Sequence, residues 1–227
     1  TRRIANGDMI HIEDIQDQVE LALMRGEHHK VARAYVLYRE QRAKQRYKTA
    51  KLNEQVGAKV STMAVTKRDG HKEDISLEKI TNRISVLSNG LEIDPITIAQ
   101  KAIQGLYDGI TTNEIDTYLA ETAAALTVEH PDYSYLAGRI KANALHKETP
   151  GFIIATKNLF EDGLLREEYY QKAMAHAEDI EKIIDYDRDY LFDYFALTTL
   201  FRAYLLQFNN KTIERPQDLW MRVALCV

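Results

Sequence analysis

Two adjacent cations lie at the end of the clearest strand signal in the sequence. Val65-Thr66-Lys67-Arg68 runs into Asp69-Gly70, a dipeptide typical of hairpin turns, and the chain returns through Ile75. Lys79 follows on a predicted helix. Lysine charges and the planar arginine fork, together with the amides of a helix N-terminus, stabilise a triphosphate. The pattern therefore predicts a polyanion site, although an exposed polar hairpin accounts for it equally well.

Other kinds of site are hard to build from this sequence. It has neither a Gly-x-x-x-x-Gly-Lys-Ser/Thr loop nor a Gly-x-Gly-x-x-Gly loop, which excludes P-loop and Rossmann phosphate cradles. The seven histidines lack the spacing of a zinc site, and no Ser/His/Asp set is discernible. Cys226, the single cysteine, lies in the apolar run Val223 to Val227, which predicts a buried thiol. We predict no catalytic residue and no metal site here.

Composition and charge narrow the class of protein. The 227 residues are 45% hydrophobic and 28% charged, as in ordinary globular proteins, and no apolar run approaches the ~20 residues of a membrane span. A net charge of −4 gives no reason to expect nucleic acid or a membrane as partner. One cysteine suits the reducing cytoplasm. Since there is no initiator Met and no apolar leader, we expect a piece of a longer protein without a signal peptide.

The elements that must position Lys67, Arg68 and Lys79 are mainly helical. Few prolines and glycines and long 3.6-residue periodicities predict helices throughout, apart from the hairpin. Four helices are predicted behind the hairpin, within residues 62–149. Each has a recognisable start signal: Ser76 for the helix to about Leu87, Asp94-Pro95, the capping box of Thr111 with Glu114, and Pro131 for the helix that ends near Lys147.

Helices are also predicted before the hairpin. His11 to Arg25 is amphipathic, and Gly26 lies where a C-terminal cap belongs. The basic run Arg33 to Lys51 is typical of a solvated helix face, with phosphate contact as the alternative. Residues 51–61 are polar and weakly patterned, which predicts a linker. Residues 10–15 match residues 110–115, which predicts an internal repeat whose first copy is truncated.

The hairpin and its helices resemble an ATP-cone, the small allosteric nucleotide-binding domain at the N-terminus of many ribonucleotide reductases. The resemblance covers nearly all of residues 62–149, through the stretches 65–70, 77–80, 105–112, 130–133 and 145–149. Residues 1–50 are similar to the C-terminal half of a second, upstream cone. The implied fold is mainly α: a short β-hairpin plus a four-helix bundle, preceded by half of another cone and followed by a helical lead-in to the reductase barrel.

Residues 150–227 form this lead-in, and from about 180 they are similar to the class I large subunit. The resembling stretches are 184–190, 194–195 and 214–223. Six tyrosines lie beyond position 168, and we interpret them as packing residues with hydrated hydroxyls rather than as a radical relay. The resemblance implies reduction of ribonucleoside diphosphates for deoxyribonucleotide synthesis, with a small metal-containing, radical-generating subunit as partner. The catalytic cysteines would lie beyond residue 227.

The resemblance also implies a nucleotide site. ATP would sustain activity and dATP would stop it by changing the homo-oligomeric state, with Mg²⁺ accompanying the nucleotide. Four of its residues would meet phosphates: Lys67, Arg68, Lys79 and Lys147. Three would face the base or ribose: Glu73, Thr112 and Asp116. Many cones have Arg where this chain has Asp74, and an acid there weakens phosphate binding unless it points away.

Two other functions fit parts of the sequence. A cone-containing transcriptional repressor would need a four-cysteine zinc ribbon, and the single cysteine of this sequence argues against it. A helical interaction module that no longer binds nucleotide is favoured by Asp74 and opposed by the retained Lys67, Arg68 and Lys147.

Overall fold

A computed structural model describes residues 12–60, 63–209 and 211–227, and the chain divides into two compact units between Leu52 and Asn53. The first unit contains α1 (Ile12–Arg25) and most of α2 (His29–Val60). The left-handed residue after α1 is Glu27, with φ 61°, rather than the predicted cap Gly26. The reason is that the Gly26 amide still donates to Ala22 and so completes the last helical turn.

The predicted linker, residues 51–61, continues α2 as far as Val60. Lysine, leucine, glutamate, glutamine and alanine dominate this stretch, and all of them favour helix even without an apolar stripe. Within the first unit, Arg39 donates to Asp17 at 2.8 Å and to Glu20 at 3.2 Å. These ion pairs join α1 to α2.

The second unit begins with residues 53–60, the end of α2, and continues into the predicted hairpin and four helices. Strands β1 (Ala64–Thr66) and β2 (Lys72–Asp74) are antiparallel, with Val65 opposite Glu73. The helices follow in chain order: α3 (Leu77–Leu87), α4 (Pro95–Ile103), α5 (Thr112–Ala125) and α6 (Asp132–Glu148). The predicted caps are confirmed, since Ser76 and Asp94 accept amide hydrogen bonds and Thr111 forms the capping box with Glu114.

The turn before α5 joins the hairpin to the bundle. The Thr66 amide donates to the Ile110 carbonyl at 2.9 Å, and the Gly109 amide donates to Ala64 at 2.8 Å. The Asp108 carboxylate accepts from the Ala64 amide at 2.7 Å. These bonds bring the start of α5 beside β1. The bundle core is closely packed, and its most buried side chains include Ile84, Ile98, Leu119, Leu136 and Ile140.

The chain then continues through residues 150–227, the predicted lead-in. It contains α7 (Phe152–Glu161), α8 (Glu167–Ala175), α9 (Ala177–Ile183), a 3₁₀ segment (Tyr186–Leu191), α10 (Tyr194–Ala203), β3 (Gln207–Phe208), β4 (Lys211–Thr212) and α11 (Pro216–Cys226). One prediction is wrong here, because Cys226 is exposed near the end of α11 rather than buried. The Tyr186 hydroxyl donates to Asp218, and the Tyr190 hydroxyl accepts from Asn143.

The lead-in packs directly on α6. Arg215 donates to the carbonyls of His146 and Thr149 and so satisfies the C-terminal end of that helix. Leu145 of α6 shares a core cluster with Leu197, Leu200 and Leu219. The four-helix bundle and the helices after it are therefore parts of one packed unit. In the part of the chain that the structure describes, no helix is long and apolar enough to cross a membrane.

Candidate anion-binding cavity

A cavity of about 630 Å³ lies between the hairpin and helices α3, α5 and α6. Its volume is in the range of small-molecule sites, roughly 300–1,000 Å³. All seven residues predicted as nucleotide contacts line it: Lys67, Arg68, Glu73, Lys79, Thr112, Asp116 and Lys147. Sequence positions as far apart as 67 and 147 thus converge on one site.

Local structure explains why these side chains meet. Lys67 and Arg68 follow β1 directly, at the hairpin turn. Neighbouring residues of a strand point to opposite faces, and Glu73 of β2 lines the cavity whereas the next residue, Asp74, does not. The acid at position 74 therefore does not face the cavity. Lys147 lies in the last turn of α6.

The first ion-pair group joins the hairpin to α3. The Glu73 carboxylate lies 2.6 Å from the Lys67 ammonium and 3.0 Å from the Lys79 ammonium. Hydrogen bonds from these two lysines lower the pKa of Glu73. Glu73 therefore stays ionised, and it holds the two predicted phosphate-binding lysines on one side of the cavity.

The second group is centred on Asp116 of α5, whose side chain is only 3% exposed. One carboxylate oxygen accepts from Arg68 at 2.8 Å, and the other accepts from Arg83 of α3. Arg68 also lies 3.5 Å from Glu148. Asp116 is thus a buried partner of two guanidinium groups and not a solvated helix residue. Each of its oxygens retains a lone pair with which it can accept a further hydrogen bond.

Positive charge exceeds negative charge around the cavity. Five cations line it, namely Lys67, Arg68, Lys79, Arg83 and Lys147, against the three carboxylates Asp69, Glu73 and Asp116. The pKa of Lys147 is lowered by partial burial and then by the neighbouring cations Arg83, Arg68 and Lys67, while Asp116 opposes this effect. An added polyanion would relieve this repulsion.

The remaining wall is apolar and is formed by Val65, Ile75, Ile80, Ile115 and Leu119. A cavity with one cationic side and one apolar wall suits a ligand that combines several negative charges with a flat hydrophobic part. Two buried polar atoms of lining residues, Arg83 Nη2 and Thr112 Oγ1, have no hydrogen-bond partner among the described residues. Buried polar atoms without a partner are uncommon in native proteins, and here both belong to residues of the cavity wall. Across the described ranges, no group of His, Cys, Asp and Glu has the arrangement of a metal site.

Sequence reasoning missed Arg83. It lies four residues after Lys79, and therefore on the same face of α3. This spacing was the available signal, because a helix that presents one cation to the cavity presents the residue one turn later as well. His71 and Ser76, which also line the cavity, carry no comparable signal.

Comparison with known proteins agrees with this fold and cavity. The profile described as ATP cone domain matches residues 1–44 and 63–148, more than half of the chain. The chain therefore belongs to the ATP-cone family, as the resemblance predicted, and membership indicates that it binds a nucleotide effector. A second profile, ribonucleotide reductase all-alpha domain, matches residues 190–227.

The chain is also similar to large subunits of one enzyme. It is 43% identical over 183 residues to the ribonucleoside-diphosphate reductase large subunit of Dictyostelium discoideum. The matched region covers 74% of this chain and 21% of that protein. Over 176 residues it is 40% identical to the large chain of Schizosaccharomyces pombe and 42% identical to the large subunit of Arabidopsis thaliana, in each case 72% of this chain and 22% of the relative. The chain thus spans about a fifth of the length of these curated relatives.

Proposed function

We propose that the cavity binds ATP or dATP as an allosteric effector. The observation that carries the proposal is the convergence of five cations and an apolar wall on one cavity of suitable volume. Lys67, Arg68, Lys79 and Lys147 would hold the phosphates, while Glu73, Thr112 and Asp116 would face the base or ribose. Mg²⁺ would arrive with the triphosphate, because it binds chiefly through phosphates and water rather than through a protein cage.

We further propose that this chain is the regulatory N-terminal part of a ribonucleoside-diphosphate reductase large subunit. Its similarity to such subunits and the all-alpha match at residues 190–227 support this proposal. The whole protein would act as a homo-oligomer in the cytoplasm with a small radical-generating subunit. This chain has one cysteine, whereas the chemistry needs a radical cysteine and a redox pair, so catalysis would belong to the rest of the protein.

We propose domain boundaries as well. Residues 62–149 would be a complete cone and residues 150–227 the start of the reductase domain, with 51–61 as a helical linker. Residues 1–50 would be the C-terminal half of an upstream cone. Support for that half comes from the family match at residues 1–44 and from the helical pair α1 and α2.

Calorimetric titration with ATP, dATP and GTP tests the proposed effector site. We expect ATP and dATP to bind more tightly than GTP, and Asp116→Asn to change the ranking of the three nucleotides. The physical reason is that a group that hydrogen-bonds the nucleoside penalises analogues lacking its partner. A uniform change in all three affinities would show that Asp116 only holds Arg68 and Arg83 and does not contact the nucleoside. Failure of every nucleotide to bind would remove the proposed function.

The lowered pKa of Lys147 predicts a pH dependence of phosphate binding. A bound polyanion favours the charged ammonium, so its pKa is higher in the complex than in the free protein. Affinity should be constant while Lys147 is protonated in both states, and should fall as pH rises through the lowered pKa of the free protein. Titrations with inorganic tripolyphosphate from neutral pH to about 10 would measure this fall. Lys147→Arg should flatten the profile, and an unchanged profile would exclude Lys147 as its source.

A further inference from the structure

A chain of polar side chains leads from the cavity across α6 into the lead-in. Arg83 donates through Nε to the Asn143 carbonyl oxygen at 3.0 Å, and the Asn143 amide donates to the Tyr190 hydroxyl at 3.3 Å. That hydroxyl lies 3.5 Å from His146 Nδ1, and His146 Nε2 lies 2.8 Å from the buried Asp189. We call these five residues the relay.

The hydrogen-bonding chemistry of the relay is consistent along its length. A guanidinium group can only donate, so Asn143 turns its carbonyl to Arg83 and its amide to Tyr190. Tyr190 then accepts from Asn143 and donates to His146, which leaves the proton of His146 on Nε2 for Asp189. Each of the four contacts along the relay thus joins a donor to an acceptor. Removing one member leaves its neighbour unpaired in a partly buried site, which costs more than an ordinary surface hydrogen bond.

The relay connects two parts of the second unit. Arg83 lines the cavity, Asn143 and His146 lie one turn apart on α6, and Asp189 and Tyr190 belong to the 3₁₀ segment of the lead-in. The backbone of this segment is tied to the cone by Arg139, which donates to the carbonyls of Leu87 at 2.9 Å, Asn89 at 2.8 Å and Tyr190 at 3.4 Å. The Tyr190 side chain therefore starts from a fixed backbone.

The position of Arg83 is determined by two of its nitrogens. Its Nε is held by Asn143 and its Nη1 by Asp116. Because the guanidinium group is planar, these two bonds fix the orientation of the whole group of Arg83, which lines the cavity. Fixing a charged group in advance lowers the ordering cost when an anion binds.

We propose that Tyr190 is a positioning residue for the nucleotide cavity: through Asn143 it orients Arg83, so that a residue of the lead-in sets the affinity of the cone. This inference rests on the proposed function of the cavity. Linkage makes the coupling reciprocal, so nucleotide bound against Arg83 stabilises the 3₁₀ segment by the same free energy that Tyr190 contributes to binding. The relay thus gives the cone a physical route by which occupancy reaches the reductase domain.

A double-mutant cycle on the 227-residue chain tests the proposal. Calorimetry would give the ATP dissociation constants of the unaltered chain, Tyr190→Phe, Arg83→Lys and the double variant. We expect Tyr190→Phe to weaken binding about fivefold, equivalent to about 1 kcal/mol and typical of one hydrogen bond. Lysine keeps the charge at position 83, and therefore measurable binding, but it lacks the donor that Asn143 holds. In that background Tyr190→Phe should have no further effect.

Tyr186→Phe is the matched control. Tyr186 lies in the same 3₁₀ segment as Tyr190, and its hydroxyl donates to Asp218 of α11 at 2.7 Å, outside the relay. Loss of this hydroxyl should therefore lower the unfolding temperature without changing ATP affinity. An unchanged affinity in Tyr190→Phe would overturn the inference, and so would an equal loss in the Arg83→Lys background. If the unaltered chain bound no ATP, both the proposed function and this inference would be wrong. If the chain bound ATP but the effects of Tyr190→Phe and Arg83→Lys were additive, only this inference would be wrong.

Discussion

Replacing Lys67 and Arg68 together by alanine should reduce the affinity for ATP and dATP at least about a hundredfold. Each residue would lose a charge-assisted hydrogen bond to phosphate, worth about 1.5–3 kcal/mol. A second effect acts in the same direction. Glu73 pairs with Lys67 and Asp116 pairs with Arg68 in the nucleotide-free protein, so the double variant leaves both carboxylates less compensated. Their negative charge would then oppose a triphosphate.

Lys72→Ala is the control for this double variant. Lys72 lies on the same hairpin, but it is exposed and does not line the cavity. It should change the affinity little, since a surface charge at that position is screened by salt. Calorimetric titration with dATP measures the difference, and thermal unfolding shows whether each variant still folds. Unchanged dATP affinity in a folded double variant would exclude the hairpin from the site.

The hairpin and helix boundaries were predictable because their signals are local. Asp69-Gly70 marks the turn, and Ser76, Asp94 and Thr111 are capping residues whose partners lie two or three residues along the chain. The seven cavity residues were predicted from the family resemblance. The residue types of the hairpin alone are as typical of an exposed polar loop as of a polyanion site. Local signals therefore give the elements, whereas their convergence on one cavity depends on the fold.

Burial and long-range pairing were not predictable in the same way. No local pattern in the sequence indicates that Asp116 is buried, because its partners, Arg68 and Arg83, lie 48 and 33 positions away. Tyr190 belongs to a run rich in tyrosine and leucine, where packing was the natural interpretation. Its contact with Asn143 spans 47 positions and exists only because the lead-in packs on α6. Exposure of Cys226 has the same origin, since an apolar run does not reveal which face of its helix is covered.

The backbone of the lead-in approaches α6 closely at Gly138, in the middle of that helix. A Cβ atom added there would overlap the Phe192 carbonyl oxygen and lie 2.8 Å from the Asp193 carbonyl carbon, which is also too close. Backbone atoms cannot turn away as a side chain can, so the segment after the 3₁₀ turn would have to move. Alanine would otherwise favour the helix by about 1 kcal/mol over glycine. Packing and helix propensity therefore predict opposite signs for Gly138→Ala.

We expect packing to dominate, so that Gly138→Ala lowers the free energy of unfolding by about 2–4 kcal/mol. Gly105→Ala is the matched control: its Cβ would also overlap a neighbour, but that neighbour is the ring end of Tyr118, which can rotate away. Its cost should be about 1 kcal/mol or less. Urea unfolding of both variants gives the comparison. Equal losses, or a stabilised Gly138→Ala, would show that the backbone at Phe192 and Asp193 yields freely, and the lead-in would then not be held rigidly enough on α6 for Tyr190 to orient Arg83.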